Sequence, residues 1–468
     1  MAEKLVDTIE KEALDNALKE ALSTGGEFAE VFIEDKTSNS ISLDDARIDN
    51  LASSSDRGAG IRVTLGDMTG FAHTSDLSAA SLVKAAGSAA KALGFGQSKT
   101  KAQELSYQPS PAQNVQTPHN KIEKAEKVEL LRTANNSARQ TASEISQVSA
   151  RYSESFRRIL IANSLGIYKD DAQTKTLFSV NCTASGDTGM QTGRETVGHT
   201  IGYELFNQYS VDELAATAAA RASEKLKARP APAGTWPVVI GPGSGGVMFH
   251  EACGHGLEAD LVYKGASVFA NRVGELVASP LVTLIDDGTM SKEWGTYQID
   301  DEGHSATRNV LIQDGILVDY LWDAKTARKY NHTPSGNGRR QSYKHLPMVR
   351  MTNTYLTAGT STPEEIIGSV DYGIYVAKLG GGQVDTASGD FVFGMVESYL
   401  IEGGKITAPL REGQLIGNGP KVLTQIEAVG NDFEMGPPGT CGKDGQGVPV
   451  GDGVPTLKVA ELTIGGSA

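Results

Sequence analysis

Only three cysteines, Cys182, Cys253 and Cys441, occur in 468 residues, too few and too scattered for a disulfide framework, which leaves free thiols or metal thiolates. No stretch approaches the ~20 apolar residues that a membrane span needs. The start runs from Met1 straight into the charged Glu3, Lys4 and Asp7, so the sequence predicts a soluble, cytoplasmic protein with no membrane attachment. No compact block of lysine or arginine is present, and the formal net charge is -14. Without such a block a run of phosphates is not neutralised, so nucleic acid is excluded as an expected partner.

What is present is a glycine-rich globular composition: 53 Gly, 39% hydrophobic and 21% charged residues, enough apolar surface for real cores. Most of the glycines follow residue 230, where turns and close backbone approaches should concentrate. A chain of this length exceeds one simple core, since single domains usually hold ~100–200 residues. Apolar spacing predicts a helix over Leu5–Leu22, stopped by Gly25-Gly26. Strands follow at 29–34, 40–48, 60–65 and 69–73, and a helix at 78–93. Residues 96–119 break both periodicities and read as a linker. A second helix, strands, helix series then occupies Lys121–Glu144, four strand-like runs between 149 and 183, and Asp212–Ala228. Pro230 and Pro232 end it, and Trp236–Ile240 opens a third unit. The expected class is α+β: mixed helix and antiparallel-sheet units at 1–110 and 111–232, then a strand-rich, glycine-rich domain at 233–468.

That third unit carries the chemistry. A glycine loop, Gly241–Gly246, leads into Val247-Met-Phe-His-Glu-Ala-Cys-Gly-His-Gly256. Neutral imidazoles suit Zn²⁺, and a carboxylate directly after the first ligand, Glu251, can serve as base toward a water acidified by the ion. The spacing is unusual. Zinc hydrolases with a helical motif place their histidines four apart, whereas His250 and His255 are five apart. On a regular helix that turns the second ring about 140° from the first. A single wide turn with an i→i+5 hydrogen bond brings them together, and Gly254 tolerates such distortion, so a π-bulge or an early helix end is predicted near Gly254.

Two histidines leave a catalytic zinc short of its usual three protein ligands. Cys253, Cys441, Glu258, His304 and His345 are the candidates for the third. Cys441 is favoured, because Gly436-Pro-Pro-Gly-Thr-Cys-Gly-Lys443 is built for close approach. Candidate substrate-binding groups are His345 and the backbone of Gly381 and Gly382, where a triple glycine followed by alternating residues offers a strand edge to an extended peptide. His304 and Tyr343 are further candidates for stabilising an oxyanion.

At this point the residues resemble a known family. HEACGHGLEAD at the motif, RQSYKHLPMVRMTNTYL at 340–356, GIYVAKLGGGQVDTASGDFVFGMVESYLIEGGK at 373–405, CGKDGQGVPVGDGVPTLKVAELTIGG at 441–466 and RGAGIRVTLGDMTGFAHTSDLS near the start look like TldD members of the TldD/PmbA peptidases. The resemblance spans essentially the whole chain. It implies a zinc peptidase with His250, His255 and Cys441 as ligands and Glu251 as general base. It also implies a dimer, with a second copy or with a motif-less PmbA/TldE-like subunit, that admits only unfolded or extended peptides. Cys253 departs from the apolar residue expected inside the motif, and a second thiolate there would compete for the metal.

Plainer readings stand beside these. Gly241–Gly246 lacks the Lys-Ser/Thr of a phosphate loop and the spaced glycines of a dinucleotide site, so close strand-helix packing is its simpler role. His332 reads as exposed and Cys182 as a small buried hydrophobe. The rival function is a non-proteolytic modulator or maturation factor with a structural metal, which would want four protein ligands and has no use for Glu251.

Overall fold

The computed structural model describes residues 4–94, 96 and 100–466. Residues 1–3 of the charged start and 97–99 of the expected linker lie outside the described residues. Helix α1 (Lys11–Leu22) buries Leu14, Ala17, Leu18 and Ala21 at helical spacing. It begins at Lys11 rather than Leu5, because Glu10 is extended and Leu5–Asp7 make a separate 3-10 turn. Strands β1 (Phe28–Asp44) and β2 (Arg47–Leu65) then form one long hairpin. Its turn falls inside the strand expected at 40–48. Asp45 and Ala46 both carry positive φ, 45° and 68°, a two-residue turn normally announced by Asn-Gly or Asp-Gly, so Asp-Ala gives no signal.

Strand β3 (Met68–Thr74) completes the hairpin's edge, and α2 (Ala79–Ala92) is capped by Ser78, whose hydroxyl accepts the Ser81 N–H. Within the expected linker, β4 (Ser106–Pro109) pairs in parallel with a later strand, so this stretch is partly sheet. Next come α3 (Lys124–Thr141), β5 (Ile145–Asn163), β6 (Ile167–Gly186), β7 (Gly189–His199) and α4 (Val211–Lys225). The strands join one seven-stranded sheet in the order β3-β2-β1-β5-β6-β4, with β7 also on β6.

Side chains alternate faces along a strand, and that alternation divides the sheet's work. Val31 and Ile33 of β1 pack with α1 and α2, while Ile41 and Leu43 on the same face pack with α3 and α4. The opposite face presents Phe32, Ile159 and Ile161 to Ile299 and Tyr343 of the C-terminal half. Buried ion pairs stitch the two together: Arg62 bonds both Glu30 and Glu302 at 2.8 Å, and Arg340 bonds Glu30.

The C-terminal half contains β8 (Arg229–Pro230), β9 (Gly234–Ile240), the short helices α5 (Gly246–Phe249) and α6 (Ala259–Val262), β10 (Leu284–Asp287), β11 (Arg308–Gln313) and β12 (Ile316–Leu317). After β13 (Gly338–Arg339), β14 (Met348–Val349) and β15 (Asn353–Leu356) come β16 (Tyr372–Val384), β17 (Asp390–Glu402), β18 (Lys405–Arg411) and β19 (Gly413–Asn418). The chain ends with β20 (Ile426–Val429), β21 (Glu434–Met435), β22 (Gly439–Lys443), β23 (Gln446–Val454) and β24 (Leu457–Gly466). Five of these close on themselves, β16-β9-β24-β19-β17 and back to β16, so the ring has no free edge over its paired length. A second sheet runs β12-β11-β10-β15-β23-β21, with β22 on β23. The fold is α+β, and the motif segment lies where the closed ring and this second sheet meet, since α5 packs on β15 and β23 while the turn after it, His250–Gly254, packs on β16 and β17 of the ring.

Candidate metal centre

The motif segment is three kinds of helix in succession. Gly246–Phe249 is α-helical, His250–Gly254 is a π turn, and His255–Leu257 is 3-10. The wide turn is what five-residue spacing requires, and it sets the two rings against each other with centroids 5.3 Å apart at 84°. Gly254 has a different role from the one the spacing suggested. Its torsions, φ -57° and ψ -48°, are ordinary right-handed helix. A Cβ there would lie 2.1 Å from Met351 Sδ, so glycine is needed for packing and not for backbone freedom. The glycine loop likewise serves close approach: a Cβ on Gly246 would fall 2.3 Å from the Gly453 N.

The hairpin β22–β23 delivers the third group. Potential ligand atoms of His250, His255 and Cys441 all lie within 4.8 Å of one another, and all three residues are buried. The Cys441 sulfur is 3.3 Å from His255 Nε2. Neither ring nitrogen of His250, though buried, has a hydrogen-bond partner among the described residues. Unpartnered buried polar atoms cost free energy, so this pair of orphans beside a thiol and a second imidazole fits a metal ion. A donor set of two nitrogens and one sulfur suits zinc. Burial opposes the Cys441 thiolate, but the imidazoles of His250 and His255 outweigh it and hold the thiol down to about 4. Both histidines are shifted upward in turn, against burial, chiefly by Cys441 for His250 and by Glu258 for His255.

A supporting layer stands behind His255. Glu258, fully buried, accepts from His255 Nδ1 at 3.0 Å and from Lys443 Nζ at 3.0 Å. Lys443 also bonds Asp260 at 2.8 Å and the Val349 carbonyl at 3.1 Å. Cys441 and Lys443 are two apart on β22 and therefore share a face, one meeting the histidines and the other their carboxylate. Burial pushes Glu258 up, yet Lys443 and His255 prevail and hold it at about 2. Glu251 is part-exposed, with Oε2 3.7 Å from His255 Nε2, so it reaches the open side of the cluster. Asp452, on β23, was not legible as a site residue. Burial, with a smaller contribution from Glu251 and against His250, pushes its carboxyl up to about 7. An acid set between glycines in an apolar strand, Val450–Val454, was the available signal.

The remaining candidates fall elsewhere. Cys253 is buried in the hydrophobic core with Phe249 and Met351, and burial pushes its thiol up. It is not in the ligand cluster. Glu258 stands one bond behind His255. His304 and Tyr343 sit against the N-terminal sheet, the Tyr343 hydroxyl bonding Asp56 at 3.1 Å. His345 bonds Ser342 Oγ at 2.9 Å, and no described interaction joins it to the cluster. Gly381 and Gly382 lie in β16 beyond the last β9 pairing, Val376 with Ile240. Gly382 pairs with Phe393, while Gly381 is exposed with open space around its Cα. Just before them, the Leu379 N–H bonds Ser244 Oγ at 3.1 Å, at the head of the motif helix.

Family models for the PmbA/TldA metallopeptidase match along the chain: domain 1 over residues 29–93, the central domain over 117–226 and the C-terminal domain over 233–466. A "Metalloprotease TldD homolog" from Buchnera aphidicola is 40% identical over 94% of this chain and 93% of its own length. A protein of the same description from Haemophilus influenzae is 39% identical over 94% and 93%. A metalloprotease from Methanocaldococcus jannaschii is 34% identical over 93% and 96%. The chain belongs to the PmbA/TldD family of metallopeptidases, on the TldD side of it. Among solved structures, a Thermotoga maritima protein described as a proposed modulator of a DNA gyrase superposes with TM-score 0.81 at 21% identity, covering 97% of this chain and 100% of that one. TldE from Thermococcus kodakarensis gives 0.75 at 19%, covering 96% and 100%. At such identities these two show the fold alone. Among the described residues no helix is long and apolar enough to cross a membrane.

Proposed function

We propose that this metallopeptidase is zinc-dependent, that His250, His255 and Cys441 hold the ion, and that Glu251 is its general base. The observation that carries the reading is the pair of orphaned His250 nitrogens facing a second imidazole and a thiol whose pKa is held low. When bound, zinc supplies Lewis acidity there, polarising a peptide carbonyl and acidifying a water. Glu251, on the open side, takes the proton from the attacking water and passes it to the leaving amine. Glu258 fixes His255 by its Nδ1 bond, which leaves Nε2 as the donor toward the ion. Asp452, buried beside these groups, supplies a carboxyl that titrates near neutrality.

The substrate is an unfolded or extended peptide. Its support is β16 past Val376, where β9 no longer pairs and Gly381 and Gly382 offer bare backbone close to Ser244 at the head of the motif helix. A peptide added there is held by main-chain hydrogen bonds and read with little sequence preference. The working form is a cytoplasmic dimer, with a second copy or a TldE-like subunit. The units at 1–110, 111–232 and 233–468 are its building blocks. A non-proteolytic modulator with a structural metal is the second reading, disfavoured by three ligands and a carboxylate at the open side. Cleavage of an unfolded peptide by wild type and Glu251→Ala at equal zinc content decides between them. Loss of cleavage is expected, and undiminished cleavage sinks the mechanism.

A further inference from the structure

The sheet face turned toward the C-terminal half carries more positive charge than it pairs. A cavity of about 100 Å³ lies where β1, β5 and β6 meet residues 339–341 and the start of β23. Lys36, Arg157, Lys175, Arg339 and Arg340 line it, with Asp300 and Asp301 the only carboxylates among its lining residues. Two of the five cations are answered: Arg157 by Glu34 at 2.6 Å and Asp301 at 2.9 Å, and Arg340 by Glu30. The other three have no salt bridge among the described residues. Lys175, 7% exposed, donates to the Trp294 carbonyl; Arg339, 6% exposed, donates to the carbonyls of Met351 and Pro449. These are neutral partners.

Asp300 is already engaged, its carboxylate oxygens accepting the backbone N–H groups of Glu302 at 3.0 Å and of His304 and Gly338 at 2.9 Å. Burial, then Arg339 and Arg157, hold Lys175 well below its ordinary value, with Asp171 only partly opposing them, so its ammonium form is disfavoured until an anion enters beside it. Buried cations are normally paired with an anion. Ser155 and Lys175 also line a neighbouring groove of about 320 Å³, together with Ser38, Ser40, Ser54 and Ser153. Glu154, the carboxylate among the groove's lining residues, is bound by Lys127 at 2.7 Å. The cavity is several times the ~10–15 Å³ that a single water needs, room for a small oxyanion.

We propose that this cavity is an anion site that takes a small oxyanion, a carboxylate or a phosphate, on Lys175, Arg339 and Lys36. It is separate from the metal cluster and does not depend on the peptidase reading. Its far wall, Gly447–Pro449, is the stretch of β23 opposite Cys441, through the Val448 pairing. The chemistry has two sources: a free oxyanion, or the terminal carboxylate of a peptide lying in the serine-lined groove. Forked guanidinium donors serve either one.

Calorimetric titration of the whole protein at constant ionic strength tests it, with inorganic phosphate as one probe and a peptide with free or amidated C-terminus as the other. Saturable phosphate binding assigns a free oxyanion; tighter binding of the free acid than of its amide assigns the peptide terminus. In either case Lys175→Met and Lys36→Gln should each weaken the effect by about tenfold or more, the worth of a charged hydrogen bond. Lys36 is half-buried, so K36Q carries the test even where K175M fails to fold. Absence of both effects, or binding that is unchanged in K36Q, overturns the proposal.

Discussion

Replacing Glu258 by glutamine keeps the shape of the layer behind His255 and removes its charge. Glu258 is fully buried between His255 Nδ1 and Lys443 Nζ, each 3.0 Å away. Burial disfavours the anion, but the two cations outweigh it and bring its pKa from 4.5 to about 2, which corresponds to about 3 kcal/mol in favour of the folded state. Because the folded pKa is depressed, this contribution is fully present above pH 4.5 and is lost as pH falls toward 2. Denaturant unfolding of metal-free wild type and E258Q at pH 7 should therefore show E258Q less stable by about 3 kcal/mol, with the gap closing below pH 4.5. Zinc affinity by chelator competition should fall about 10- to 100-fold, as when the carboxylate behind a metal-bound histidine is removed. Equal stability at pH 7 together with unchanged zinc affinity would refute the reasoning.

Cys441→Ser should abolish stoichiometric zinc while Cys253→Ser leaves it in place, read by metal analysis of the purified variants. Ultraviolet thiolate absorbance of the metal-free protein should titrate with one midpoint near pH 4 from Cys441, while Cys182, raised to about 11 by burial, stays protonated through neutrality. Gly254→Ala should cost about 1–3 kcal/mol in unfolding free energy, because its methyl meets Met351 Sδ in a packed core. A G254A variant as stable as wild type would show that the site relaxes freely.

Local pattern reveals much of this molecule, and its limits are local too. Helices with a clear apolar stripe or a serine cap, α2 and α4, end within a few residues of expectation. The β1–β2 turn is hidden because Asp45-Ala46 adopts positive φ without glycine. Short apolar runs separated by charges read as several strands, whereas β5 and β6 are single long ones. Their charged residues are buried in ion pairs such as Arg157 with Glu34, and a partner distant in sequence is invisible to periodicity. The closed ring and the shared seven-stranded sheet rest on such distant pairings. At the site, the spacing of His250 and His255 predicts a wide turn, and the structure has one. The partners of His255 are obscure in the sequence, because Glu258 and Lys443 meet only after the hairpin folds over the helix.

The proposed chemistry depends on which atoms hold the metal. X-ray absorption at the zinc edge of the purified protein measures this directly. It should give one sulfur at about 2.3 Å and two imidazole nitrogens at about 2.0–2.1 Å, completed by a light-atom ligand from solvent. Two sulfurs, which would bring in Cys253, or no sulfur at all, which would remove Cys441, would contradict it.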